Sequence, residues 1–172
     1  MKSILNFLEN NRQTILNEWE KYIIDNYPVD AGKFLLGNKN QFANPIGYTI
    51  RTELPIIFDA IINDNFDDKF NTSLENFIRI RAVQNYSVEQ ANSFCSFLQN
   101  IIENYAKENQ NPEIFDEFLI LNKRLQKVLH KSFECYLSMK QKLMEIKLDE
   151  VKRQNQKMIE RLNKKYWYEN DN

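Results

Sequence analysis

An all-α fold is what this chain predicts, and three observations predict it. Its apolar residues recur at steps of three and four rather than two. Only 3 glycines and 4 prolines punctuate 172 residues, which argues against a sheet-rich fold. Asn-Pro and Ser-x-x-Gln signals stand where helices should begin. At 42% hydrophobic the chain can bury a core of ordinary size.

The first helix is expected from about Ser3 to Tyr27, with Leu5, Leu8, Ile15, Leu16, Trp19, Tyr22 and Ile23 on one side and Pro28 as its stop. Between Pro28 and Ala43, Gly32, Gly37 and several asparagines predict a loop, with Phe34, Leu35 and Leu36 plugging the core. Asn44-Pro45 reads as an N-cap followed by proline at the first helical position, opening a helix to about Asn63. It should face Ile46, Ile50, Leu54, Ile57, Phe58 and Ile61 inward, and Pro55 should kink it near Arg51 by removing a backbone hydrogen bond. The acidic link Asn63-Asp-Asn-Phe-Asp-Asp68 lacks the glycine and distal glutamate of a calcium loop and reads as solvated. A third helix covers about Thr72 to Gln84. Ser87 with Gln90 forms a capping box that starts a fourth at Val88, burying Ala91, Cys95, Leu98, Ile101, Ile102 and Tyr105. Asn111-Pro112 repeats the cap-and-proline start, and no glycine or proline follows. One helix from Pro112 to about Tyr166 is expected, on the order of 80 Å long.

That helix changes character midway. Ile114, Phe118, Leu121, Leu125, Val128, Leu129 and Phe133 suit the closing helix of a globular core. From Leu137 the steps alternate between four and three, through Gln141, Met144, Leu148, Val151, Asn155, Met158, Leu162 and Lys165, which is a coiled-coil seam. Asn155 takes an a position, where a buried asparagine specifies a two-stranded pairing. A parallel pair would set Lys147 against Lys152, and Ile159 falls at e, so the orientation stays open. The bland alternative is a solvated helix helped by pairs such as Asp149 with Arg153 and Glu160 with Lys164. Charge supports a separate extension: Ser138 to Tyr168 holds nine Lys/Arg against four Asp/Glu, while residues 1–137 hold fourteen against eighteen. The expected organisation is therefore a domain over 1–137 and a helical extension over 138–172. Tyr166-Trp167-Tyr168 adds an apolar knob for docking on a partner chain or on the same chain.

Arg81 is the anomaly. At helical spacing Leu74, Phe77, Ile78 and Ala82 share one face, and Arg81 falls in its middle. Arg79 beside it can pair with Glu75 and is an ordinary surface arginine. A guanidinium among apolar groups must be hydrogen-bonded and is usually paired, so Glu53, Asp59 and Glu89 are the candidate partners of a structural buried charge.

Catalysis finds little support. Three glycines leave no phosphate-cradling loop, and neither Walker nor dinucleotide fingerprints occur. One histidine, His130, excludes a multi-histidine metal site and leaves Cys95 or Cys135 as the only partners for a nucleophilic triad. His130 beside Leu129, Phe133 and Leu137 is a conceivable haem ligand, against the plainer reading of a half-buried structural histidine. The two cysteines form no metal or redox motif and read as buried free thiols. Basic residues of the extension are spread around a helix rather than gathered on one face, which disfavours nucleic acid. No stretch of about eighteen apolar residues predicts a membrane span, and Met1 to Asn6 lacks a signal peptide's features, so a cytoplasmic location is expected.

Three segments, Phe42-Ala-Asn-Pro-Ile-Gly47, Phe77-Ile-Arg-Ile-Arg-Ala-Val-Gln84 and Ser87-Val-Glu-Gln-Ala91, resemble in order the amino-terminal domain of the RsbR/RsbRD co-antagonist family of stressosome proteins. The similarity covers roughly residues 4 to 135. It implies a globin-like helical fold without haem, a dimer, and a signal passed through a long carboxy-terminal helix. In that family the helix leads into a STAS domain with phosphorylated threonines. Here the chain ends at Asn172, so assembly and phosphorylation are not carried over.

The expected function is a non-enzymatic sensor of the stress-response kind, with no cofactor. It would dimerise through Leu137, Met144, Leu148, Val151, Asn155, Met158 and Leu162 and communicate with a signalling protein. The alternative is a small-ligand or haem carrier with an apolar cavity between the Asn44 to Asn63 and Val88 to Asn109 helices and His130 as the candidate haem ligand.

Overall fold

A computed structural model describes residues 3–26, 40, 42–84, 86–109 and 112–170. Seven helices and no strand occur among them: α1 (Ile4–Asn10), α2 (Arg12–Asp25), α3 (Pro45–Asn63), α4 (Asp68–Val83), α5 (Val88–Asn92), α6 (Phe94–Glu108) and α7 (Pro112–Asn170). The all-α class is therefore observed. The expected core plug at Phe34, Leu35 and Leu36 lies outside the described residues.

Five expected helices become seven because two of them break. The first breaks at Asn11, whose side-chain amide donates to the Phe7 carbonyl at 2.8 Å and ends α1. The fourth breaks at Ser93, whose hydroxyl donates to the Gln90 carbonyl at 2.9 Å. Other starts follow local chemistry. Ser3 accepts from the Asn6 N–H, Asn44 from the Gly47 N–H, and Ser87 with Gln90 forms the complete capping box. α4 begins four residues earlier than expected, because Asp67 accepts the Phe70 N–H at 2.9 Å and turns the acidic link into an N-cap. α3 continues through Pro55 as one element. Its end is at Asp64, which adopts the left-handed conformation (φ 52°, ψ 37°) usual for a helix-terminating residue.

The chain divides into two compact units, Met1–Tyr136 and Leu137–Asn172. In the first, α3 pairs most extensively with α4, while α2 lies against both α3 and α6. Trp19 of α2 is fully buried at their meeting point. Its ring lies 6.5 Å from Phe58, 6.2 Å from Phe94 and 6.4 Å from Phe97, and its indole N–H donates to the Phe94 carbonyl at 2.8 Å. Trp19 thus stands between α3 and α6, where the alternative reading places a ligand cavity. Ile50, Leu54, Ile57 and Ile61 of α3 and Leu74, Phe77 and Ile78 of α4 complete the apolar interior.

Polar contacts tie the ends of the helices together. The Glu117 carboxylate on α7 accepts from the Ser3 hydroxyl and from the Ile4 and Leu5 N–H groups, placing a negative charge at the start of α1. Arg12 reaches from α2 to Asp59 on α3 with two hydrogen bonds of 2.8 Å. Arg124 of α7 donates to the carbonyls of Ile61 and Ile62, the last turn of α3. Two assignments of the sequence reading change here: Leu129 and Phe133 are 38% and 44% exposed rather than core residues.

Candidate functional site

Arg81 sits on the buried face of α4 with 2% of its surface exposed. The turn of chain from Tyr86 into α5 and α6 closes over it. One terminal nitrogen donates to the Gln90 carbonyl at 2.9 Å and to the Ala91 carbonyl at 3.4 Å. The guanidinium carbon also lies 4.7 Å from the centre of the Phe77 ring, 5.8 Å from Tyr86 and 5.9 Å from Phe94. Backbone dipoles and the negative faces of three rings thus act on its charge. None of the three carboxylates expected as partners takes that place. Asp59 is held by Arg12, Glu53 accepts from Asn76 at 3.1 Å, and Glu89 is exposed on α5. The physical reason is geometric: α5 delivers carbonyls within reach of Arg81, while the carboxylates project from other faces. Arg79 pairs with Glu75 at 3.3 Å on the surface, as its spacing predicts.

Two further hydrogen bonds surround this node. The Ser132 hydroxyl donates to the Asn92 side-chain oxygen, and the Tyr136 hydroxyl to the Tyr86 carbonyl. Asn92 in turn donates to the Val88 carbonyl at 2.7 Å. Neither contact carries a sequence signal, since each joins residues 40 or more positions apart.

Cys95 lies close enough to Arg81 to feel its charge, yet burial dominates and pushes its thiol up to about 12. Cys135 is half-buried and its pKa is also raised, chiefly by burial. Both are free thiols, and neither has the depressed pKa of a reactive nucleophile. His130 is exposed on α7 rather than half-buried. No group of three or more His, Cys, Asp or Glu suited to a metal ion occurs among the described residues. An open cleft of about 620 Å³ does lie between α2 and α3, floored by Leu16 and Leu54. Its rim carries the Arg12 pair with Asp59 and an Arg51 pair with Glu20 at 3.1 Å.

In the second unit the seam residues face solvent. Leu137 is 49% exposed, Met144 66%, Leu148 54%, Val151 52%, Met158 58% and Leu162 60%, and Asn155 is exposed in the same row. Tyr166 is exposed as well, and the side chains of Trp167 and Tyr168 lie outside the described residues. Of the local pairs expected on a solvated helix, Arg153 donates instead to the Asp149 carbonyl at 3.3 Å, and Lys152 approaches the Asp149 carboxylate at 3.8 Å.

No helix among the described residues is long and apolar enough to cross a membrane. Compared with known proteins, the chain matches no family model, no curated protein and no solved structure.

Proposed function

We propose that this chain is a non-enzymatic regulatory module that self-associates through its 137–170 helix and passes a signal along that helix to a partner protein. The seam carries this reading. Six apolar side chains repeat at coiled-coil spacing and stand about half or more exposed, in a helix whose other positions are largely charged or polar. Burial against a second helix removes apolar area from water at about 25 cal/mol per Å², whereas a solvated helix gains nothing from the repeat. Resemblance of residues 4 to 135 to the co-antagonist sensor domains supplies the direction of the signal, from the helical core into the long helix, and the globin-like description of that core belongs to this proposal.

Substituting Leu148→Glu together with Met158→Glu tests it. Sedimentation equilibrium should show the average mass of the full chain falling, with the helical circular dichroism of the core retained. An unchanged mass removes self-association through the seam.

A ligand carrier keeps one observation in its favour, the open cleft between α2 and α3. The cleft is rimmed by charged pairs rather than enclosed by apolar walls, and His130 is not part of it. A small molecule retained by the purified protein in native mass spectrometry would favour that reading over the module.

A further inference from the structure

The outer face of α7 within the first unit carries a pattern that neither the core nor the seam uses. Phe115, Leu119, Leu129 and Phe133 are 59%, 41%, 38% and 44% exposed. Asn122, half-buried, and Gln126, exposed, complete the row. At 3.6 residues per turn the six positions fall within an arc of about 80°. Beside them runs the buried row that contains Ile114, Leu121, Leu125 and Val128. The exposed row reads Phe-x3-Leu-x2-Asn-x3-Gln-x2-Leu-x3-Phe, the same from either end apart from the exchange of one carboxamide for the other. Its midpoint along the helix axis is the level of Arg124, which lies on the opposite side of the helix and donates to the Ile61 and Ile62 carbonyls.

We propose that this row is a two-fold surface on which a second copy of the chain lays its own α7 antiparallel. A two-fold contact requires that residue i meet j and j meet i. About an axis at the level of Arg124, Phe115 meets Phe133, Leu119 meets Leu129 and Asn122 meets Gln126, each pair occurring twice. Parallel pairing is open to any apolar row, because each residue then meets its own copy. Only antiparallel pairing requires a row that reads the same backwards. Antiparallel helices also set the positive end of each macrodipole beside the negative end of the other. A carboxamide both donates and accepts, so Asn122 and Gln126 can satisfy one another at the centre and fix the register, as a buried asparagine does in a coiled coil. The phenylalanine pairs close the two ends of the contact. This inference rests on the self-association reading but not on the seam, since all six residues belong to the first unit.

The test uses the full chain carrying Leu148→Glu and Met158→Glu, so that pairing through the seam does not contribute. In that background the protein should still sediment as a dimer. Adding Leu119→Glu, or separately Leu129→Lys, should weaken the dimer at least about tenfold, because each buries a charge opposite leucine. Combining Leu119→Glu with Leu129→Lys in one chain should restore association, since the introduced carboxylate and ammonium then face each other twice across the axis. In a parallel pair the same combination sets like charges together. A background that is already monomeric at hundred-micromolar concentration overturns the proposal. So do single variants that dimerise unchanged, and a double variant as weak as the singles. All positions are solvent-exposed, so circular dichroism should report the same helicity throughout. Failure of the seam is read separately, from the mass of the otherwise unaltered chain with Leu148→Glu and Met158→Glu.

Discussion

Arg81 shows how a buried charge can be fitted into a small helical core. Its described contacts include two carbonyls and three aromatic rings, whose dipoles and negative faces act on the buried charge. Arg81→Met should remove both hydrogen bonds and the ring interactions and destabilise the fold by about 2–4 kcal/mol. Urea unfolding measures this, and a loss below about 0.5 kcal/mol would show the guanidinium to be solvated. The two thiols make a second prediction at this scale. With its pKa pushed up to about 12, Cys95 holds on the order of one thiolate in ten thousand at pH 8. Iodoacetamide should therefore alkylate the half-buried Cys135 first, and Cys95 only as the protein unfolds, as peptide mass spectrometry would show. Equal rates would contradict the burial of Cys95. The burial of Arg81 was legible from the spacing of Leu74, Phe77, Ile78 and Ala82. Its acceptors were not, because main-chain carbonyls leave no mark in a sequence and become available only once α5 is folded above α4.

Elements begin where short-range chemistry dictates and break where longer-range contacts intervene. The caps at Asn44 and Ser87 were legible because cap and capped N–H lie within three residues of each other. The break at Ser93 was less so. Ser93 and Arg81 both draw on the Gln90 carbonyl, which an uninterrupted helix would offer to the N–H of Phe94. Asp67 is exposed, as expected of a solvated link, but it also caps α4, a role the sequence reading did not assign although Asp followed three residues later by Phe70 is an ordinary cap geometry. The Phe70 N–H holds its carboxyl below the usual aspartate range, which gives the cap a pH signature. Since the folded pKa is depressed, the cap contributes fully above the unfolded value near about 3.9, and its contribution is lost as pH falls through the lower folded value. The stability difference between wild type and Asp67→Asn, measured by thermal melts, should be constant at neutral pH and shrink on acidification below about pH 4. Curves that remain parallel down to the acid limit would show that the carboxylate charge plays no part.

At the scale of the whole molecule the two units have different physics. Residues up to Tyr136 bury a core around Trp19, Phe58, Phe77 and Phe94, whereas the seam residues of the 137–170 helix are about half or more exposed. A chain ending after Ser138 should accordingly keep its unfolding free energy in urea, measured at low protein concentration, within about 0.5 kcal/mol of the full chain. It should lose the concentration-dependent stability that pairing through the seam adds. A collapse of the core on truncation would mean that the extension is part of the fold. The sequence by itself determined the helical class, most helix starts, the inward rows of α2, α3 and α4 and the exposed seam, because these follow from periodicity and from contacts within a few residues. Tertiary structure alone decided that Asp59 goes to Arg12, that Glu117 caps α1, that Trp19 fills the space between α3 and α6, and that Leu129 and Phe133 remain in solvent. Each depends on which surfaces meet after the chain has turned back on itself. An amphipathic pattern states that a residue is apolar, and only the packed arrangement states what, if anything, covers it.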